Sequence, residues 1–186
     1  AFGGRGELRW KRGDRLPKLH GTLRLGRTRC ARPISMGTTL GELTNKRVEV
    51  DTYNPALESL ALDLRIQQSE PLRVDNNLLE AELVIDDGKE PFRLLGTDQR
   101  FGLLGSMDIR RGTMRVRERP FSIKDGEITF SSATRVEPRF EVHADTDVRR
   151  RDPGQVHWRV GVHAWGTPDL FQFELTSDPY LSQDDI

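Results

Sequence analysis

Between Met107 and Phe130 the large apolar residues fall in pairs: Met107/Ile109, Met114/Val116, Phe121/Ile123 and Ile128/Phe130. Residues within a pair are two apart, the gap to the next pair is five, and the pattern repeats every seven residues. A coiled coil shares that period but needs spacings of three and four, whereas a spacing of two on a helix sends side chains about 200° apart. Gly112, Pro120 and Gly126 would interrupt a helix as well. On strands, residues i and i+2 share a face, and each intervening segment contains Gly or Pro. The pattern therefore predicts four short antiparallel strands in a meander with one apolar face. The opposite, wet face carries Asp108, Thr113, Arg115, Arg117, Ser122, Lys124, Glu127 and Thr129.

Period two governs most of the remaining chain. Gly21–Gly26 reads as a short strand after a Gly- and Arg-rich opening, Arg32-Pro33 as a turn, and Arg47–Asp51 as renewed alternation, with residues 34–47 ambiguous. At Asn54-Pro55 the signals compete. Leu57, Leu60, Ala61 and Leu64 have helical spacing behind a possible Asn54 cap, while Leu60, Leu62, Leu64 and Ile66 alternate with polar neighbours. The favoured reading is a strand over about 60–67, with a preceding helical turn left open. Leu79–Ile85 alternates into the turn signal Asp86-Asp87-Gly88, and Phe92 and Leu94 follow. Phe140/Val142, Trp158/Val160/Val162/Ala164 and Phe171/Phe173/Leu175 mark further strands, the first two separated by the charged loop Arg149–Gly154. The prediction is an all-β chain with little or no helix. With no amphipathic helix to cover its apolar face, such a sheet either folds on itself as a sandwich or barrel, or curls into an open trough. Strand pattern alone leaves both open.

Composition narrows the function classes. The chain has 186 residues, 31% charged and 35% hydrophobic, and no run of about 18 apolar residues that could span a membrane as a helix. Beginning at Ala1, not Met, and stopping at Ile186, it reads as an excerpt. Cys30, alone, has no disulfide partner within the chain and no metal-ligand spacing. Residues 1–47 hold twelve Lys/Arg against Glu7, Asp14 and Glu42, a net of +9, so the remainder carries −9. Those arginines are scattered among polar strand positions, which describes a solvated face better than a nucleic-acid surface. His143, His157 and His163 alternate with inward-facing Val142, Trp158 and Val162 and so point outward; their spacing gives no reason for convergence on a metal. Asp145-Thr146-Asp147 and the acidic tail lack the glycine and glutamate of a calcium loop. No nucleophile elbow, phosphate loop or dinucleotide fingerprint is present. A non-enzyme without catalytic, cofactor or metal residues is expected.

The run Phe101-Gly102-Leu103-Leu104-Gly105, then Gly126-Glu127-Ile128-Thr129-Phe130 and Val136-Glu137-Pro138-Arg139-Phe140-Glu141-Val142, resembles the C-terminal domain of TamB, the translocation and assembly module family within the AsmA-like group. Trp158–Ala164, Asp169–Leu175 and Leu175-Thr176-Ser177-Asp178-Pro179-Tyr180-Leu181-Ser182-Gln183-Asp184-Asp185-Ile186 extend the likeness. It runs from about Leu60 to the end and is thinner over residues 1–59. Family members typically continue past this point into an apolar segment that the sequence lacks.

The resemblance implies an elongated, curled antiparallel sheet, an open β-taco-like trough with an apolar concave face. The chain would be a single β-rich domain, a C-terminal fragment of a much longer protein of the diderm periplasm anchored in the inner membrane. It also implies phospholipid transfer between the two membranes, or assembly of outer-membrane proteins with an Omp85-type barrel partner. Other regions of the protein would contact membranes, and nucleic acid would play no part. Exposing an acyl chain of about 16 carbons to water costs on the order of 12 kcal/mol at roughly 0.8 kcal/mol per methylene. A row of apolar side chains removes much of that cost, and because the contact is non-directional a chain can slide along it. The expected lining is Leu62, Leu64, Ile66, Leu83, Ile85, Phe92, Leu94, Met107, Ile109, Met114, Val116, Phe121, Ile123, Ile128, Phe130, Phe140, Val142, Trp158, Val160, Val162, Phe171, Phe173 and Leu175. Alternatives are an assembly factor that docks a barrel precursor at a sheet edge, a structural β-sandwich in which the same residues form a closed core, and, against the scarcity of exposed aromatics, a polysaccharide binder.

Overall fold

Alternation becomes strand almost wherever it occurs in the computed structural model, which describes residues 2–31, 53–86, 88, 90–116, 119–149, 157–168 and 170–180. The strands are β1 (Phe2–Arg9), β2 (Lys18–Leu25), β3 (Arg29–Cys30), β4 (Ala61–Gln68), β5 (Leu72–Asp75) and β6 (Leu79–Ile85). They continue with β7 (Arg93–Thr97), β8 (Phe101–Val116), β9 (Arg119–Ser132), β10 (Pro138–Arg149), β11 (His157–Gly166) and β12 (Phe171–Asp178). The competition at residue 55 resolves in favour of the strand, and a turn does precede it. A single 3-10 turn, Pro55–Leu57, is capped by the Asn54 side chain accepting from the Ala56 N–H, and β4 follows. It is the one helical element among the described residues. The expected turn at Arg32-Pro33, the strand at Arg47–Asp51 and the ambiguous 34–47 lie outside the described residues.

All twelve strands form one sheet, ordered β1-β2-β4-β7-β8-β9-β10-β11-β12, with β6 also paired to β8, β5 to β6 and β3 to β5. It does not close: β1 and β12 stand at opposite ends of that order. Two pairings depart from the expected antiparallel scheme, since β2 with β4 and β3 with β5 run parallel. The long connection from β2 to β4 supplies the crossover a parallel pair needs. The sheet forks because β8, at 16 residues, outruns its neighbours: β7 takes Phe101–Leu104 and β6 takes Met107–Met114 along the same strand. The arms are stitched by Gln68 of β4, whose side-chain amide donates to the Leu83 carbonyl at 2.9 Å and accepts from the Ile85 N–H at 2.9 Å. Gln68 thus stands in for a missing strand neighbour.

The stretch 107–130 corrects the sequence reading. It holds parts of two long strands instead of four short ones, and the chain reverses only between Val116 and Arg119. The segments containing Gly112 and Gly126 are irregularities within strands. On β8, Ile109 faces Leu83 and Arg111 faces Glu82, so Arg110 is an extra residue. On β9, Ile123 faces Ala144 and Asp125 faces His143, so Lys124 is extra. Across an uninterrupted strand a spacing of five would reverse the face, and one extra residue restores it. Because both strands carry one, β8 and β9 stay in register: Asp108 opposes Glu127 before the irregularity and Thr113 opposes Ser122 after it. Gly112 is required here, since a Cβ on it would stand 2.6 Å from the Glu80 carbonyl oxygen and 2.7 Å from the Ala81 Cβ. Gly105 has φ +118° and packs against Phe92, whose ring meets Phe130 edge-on at 5.5 Å.

Candidate functional site

Register, more than local sequence, assembles the apolar residues into rows across the sheet. One row runs Ile85, Met107, Ile128, Phe140, Gly166, Phe171 from β6 through β12. A second runs Leu83 and Ile109, then Val142, Ala164 and Phe173, with Ile109 Cδ1 lying over Gly126 to bridge β8 and β10. Parallel pairing carries the face into the other arm, where Leu23 opposes Ile66 and Leu19 opposes Leu62. Leu64 in turn opposes Leu94.

Ile66, Leu83, Ile85, Phe92, Met107, Ile109, Met114, Val116, Phe121, Val142, Val160, Val162 and Leu175 are buried in one cluster. Against it pack Leu94, Ile123, Ile128, Phe130, Phe140 and Trp158, all half-buried. Leu62 and Leu64 are half-buried and stand apart from this cluster. The side chain of Phe171 lies outside what the structure describes. Phe173 shares the face of Ala164 but is 39% exposed on the edge strand, and Leu8, on β1, is 64% exposed. The face is thus shielded in its middle and open to solvent at both ends of the sheet. No helix covers it among the described residues, so the side chains of the sheet shield one another.

The polar face is organised by ion pairs. Asp63 accepts from Arg93 at 2.5 Å with Lys18 Nζ at 3.4 Å, and the Arg93 hydrogen bond, then Lys18, hold its carboxyl below the usual range. Arg111 grips Glu82 through two bonds of 2.8 Å, which lowers the Glu82 pKa and raises that of the guanidinium. Asp98 fastens the segment before β4 by accepting from Ser59 Oγ at 2.6 Å and from the Ser59 and Leu60 N–H groups. Those bonds, the Ser59 hydroxyl first, hold its carboxyl far below the ordinary value. Glu58 is buried against Arg15, Tyr53 and Thr97.

As expected, the histidines of β10 and β11 point to this face. Their convergence was not anticipated. His143 is directly opposite His163, the two rings stacking at 4.3 Å with 8° between planes, and Trp165 lies 4.6 Å beyond. His143 Nδ1 is 3.0 Å from Asp125 Oδ2, and His163 Nε2 is 3.1 Å from Glu141 Oε1. A cleft of about 240 Å³ opens beside them, lined by Glu127, Thr129, Arg139, Glu141, His163 and Trp165 among others. A signal was available in the sequence: the midpoint of 143 and 163 is Pro153, inside the turn-prone Arg151-Asp152-Pro153-Gly154. A hairpin centred there sets the two histidines opposite.

No helix is long and apolar enough to cross a membrane among the described residues. A search of curated proteins found no match. The family model described as the TamB C-terminal domain matches residues 4–186, taking in residues 4–59, which the sequence likeness covered thinly. With that match spanning nearly the whole of an open all-β sheet, the chain belongs to the TamB C-terminal domain family, a group of bacterial envelope proteins.

Proposed function

We propose that this chain is a segment of a conduit that moves phospholipid between the inner and outer membranes, with acyl chains against the apolar face and head groups left at the polar rim. One observation carries the reading: apolar rows in register across β6, β8, β9, β10, β11 and β12, with no charged side chain among them. A ligand held by such rows loses no directional bond as it moves from strand to strand. Ile123, Ile128, Phe130 and Phe140 are half-buried, so they are the points where an acyl chain first displaces water. The full-length protein would be anchored in the inner membrane, with this segment in the periplasm. A photo-crosslinking residue at Ile123 should capture phospholipid in membrane-bearing cells. Capture of protein side chains alone would count against the conduit.

A second reading rests on the terminal strands. β12 ends the sheet with no strand beyond it among the described residues, and such an edge can add a strand of an outer-membrane barrel precursor or of an Omp85-type partner. Ile123→Arg separates the two. It places a charge in the apolar face and leaves the β12 backbone untouched, so lipid movement should fail while partner assembly persists. If lipid movement survives the substitution, the lining reading is wrong.

A further inference from the structure

We propose that Glu141, His143 and His163 form a binding site for a borderline divalent transition-metal ion, zinc(II) or a close relative, on the polar face of the sheet. Each residue offers one ligand atom, and the three atoms lie within 4.8 Å of one another. Zinc holds imidazole nitrogen and carboxylate oxygen at about 2.0–2.2 Å, which sets ligand atoms in a tetrahedral site roughly 3.3 Å apart. The longest separation therefore closes by at most about 1.5 Å, and because an ion lies in the plane of each imidazole that binds it, one of the two stacked rings turns out of the stack to share it. Glu141 and His143 are exposed while His163 is half-buried against Trp165, so His143 is the ring with room to turn. Two imidazoles and one carboxylate make a donor set that suits zinc and leaves a fourth position for water.

The backbone supplies what the exposed side chains do not. His143 and His163 are fixed opposite each other by the β10–β11 register, and Glu141 is two residues before His143 on the same face. Both neighbouring strands extend the row with acids: Asp125 of β9 opposes His143, and Glu174 of β12 opposes His163. Asp125 Oδ2 is within 3.0 Å of His143 Nδ1. A proton on Nδ1 directed at that carboxylate leaves Nε2 as the ligand atom, the carboxylate–histidine–metal arrangement that orients the ring and raises its basicity. An ion here joins β10 to β11 on the face away from the apolar rows. It would hold the β10–β11 hairpin, and through β11 the edge strand β12, without entering the apolar face, so the site stands independently of the conduit reading.

The test is calorimetric titration of zinc(II) into the metal-free 186-residue chain carrying Cys30→Ser, which removes the exposed thiol as a competing ligand. One zinc ion per chain with a micromolar dissociation constant is expected. His143→Asn and His163→Asn should each weaken binding at least about tenfold, and Asp125→Asn about tenfold through the orienting bond. His157→Asn, on the same strand as His163 but outside the cluster, should leave binding unchanged. Thermal unfolding with and without zinc gives a second readout: the midpoint should rise with zinc in the parent and in His157→Asn, and stay put in the His143→Asn/His163→Asn pair. Each variant is read against its own unfolding midpoint without metal, which should match that of the parent. No heat of binding in the parent, or binding that persists unchanged when both histidines are replaced, overturns the proposal.

Discussion

Ile109 and Gly126 test whether the matched extra residues in β8 and β9 position the apolar face as described. Ile109→Ala removes three carbons from a buried side chain. At roughly 0.8 kcal/mol per carbon, with an added term for the cavity, the cost is about 3 kcal/mol. Gly126→Ala adds one carbon where a Cβ meets Ile109 Cδ1 at 2.8 Å, the Glu141 carbonyl oxygen at 3.1 Å and Val142 Cγ2 at 3.2 Å. Overpacking of this kind costs about 1–3 kcal/mol. In the double variant the 2.8 Å contact is gone, and the new methyl refills part of the space that Ile109 vacates. Gly126→Ala should then be close to neutral, so the double variant should be more stable than the sum of the singles by about 1–2 kcal/mol. Urea unfolding of the four proteins, read by far-ultraviolet circular dichroism with a common slope, measures the cycle. Additivity within about 0.3 kcal/mol would mean that Ile109 does not lie over Gly126, and the bridging of β8 to β10 would fall with it.

Gly112→Val should destabilise by about 2–3 kcal/mol in the same assay, because its Cβ meets the backbone of Glu80 and Ala81, which cannot rotate away; an effect under about 0.5 kcal/mol would refute the close approach. Gln68→Leu removes the amide that pairs the Leu83 carbonyl and Ile85 N–H, at an expected cost of about 2 kcal/mol. Hydrogen exchange at Ile85 should quicken, and unchanged exchange would mean another group pairs that N–H. Asp98 makes stability pH-dependent. Its folded pKa is depressed, so its contribution is present above the ordinary value of 3.8 and is lost as pH falls from there through the depressed folded value. Asp98→Asn should flatten the acid limb of an unfolding profile, and an unchanged limb would show that Ser59 and Leu60 do not hold the carboxylate.

Which residues are apolar-facing was largely legible in the sequence, because strand side chains alternate strictly and a half-wet sheet writes that alternation into its residues. Leu79–Ile85 and Trp158–Ala164 are read almost to the residue. β1, whose Gly-rich Phe2–Arg9 carries little alternation, and the four-residue β5 were missed. The error at 107–130 is instructive. A spacing of five between same-face pairs is odd, and it can be satisfied by a chain reversal or by an extra residue within a continuing strand. Arg110-Arg111-Gly112-Thr113 suits either. What selects the second is β6, which runs alongside β8 from Met107 to Met114 and pairs on both sides of the irregularity. The histidine pair was hidden for a related reason: each ring's outward direction is a local property, while their meeting depends on the β10–β11 register.

By itself the sequence determined an all-β chain, the polar and apolar sides of its strands, and the family motifs that run to its end, since these depend on residues two to five positions apart. Only the tertiary structure decided that the sheet forks at β8 and stays unclosed, that apolar pairs line up as rows from β6 to β12, and that Glu141, His143 and His163 share one spot on the opposite face. Those outcomes are set by which strand lies beside which and in what register. Such pairing energies are summed over residues distant in the chain, and no local window contains them.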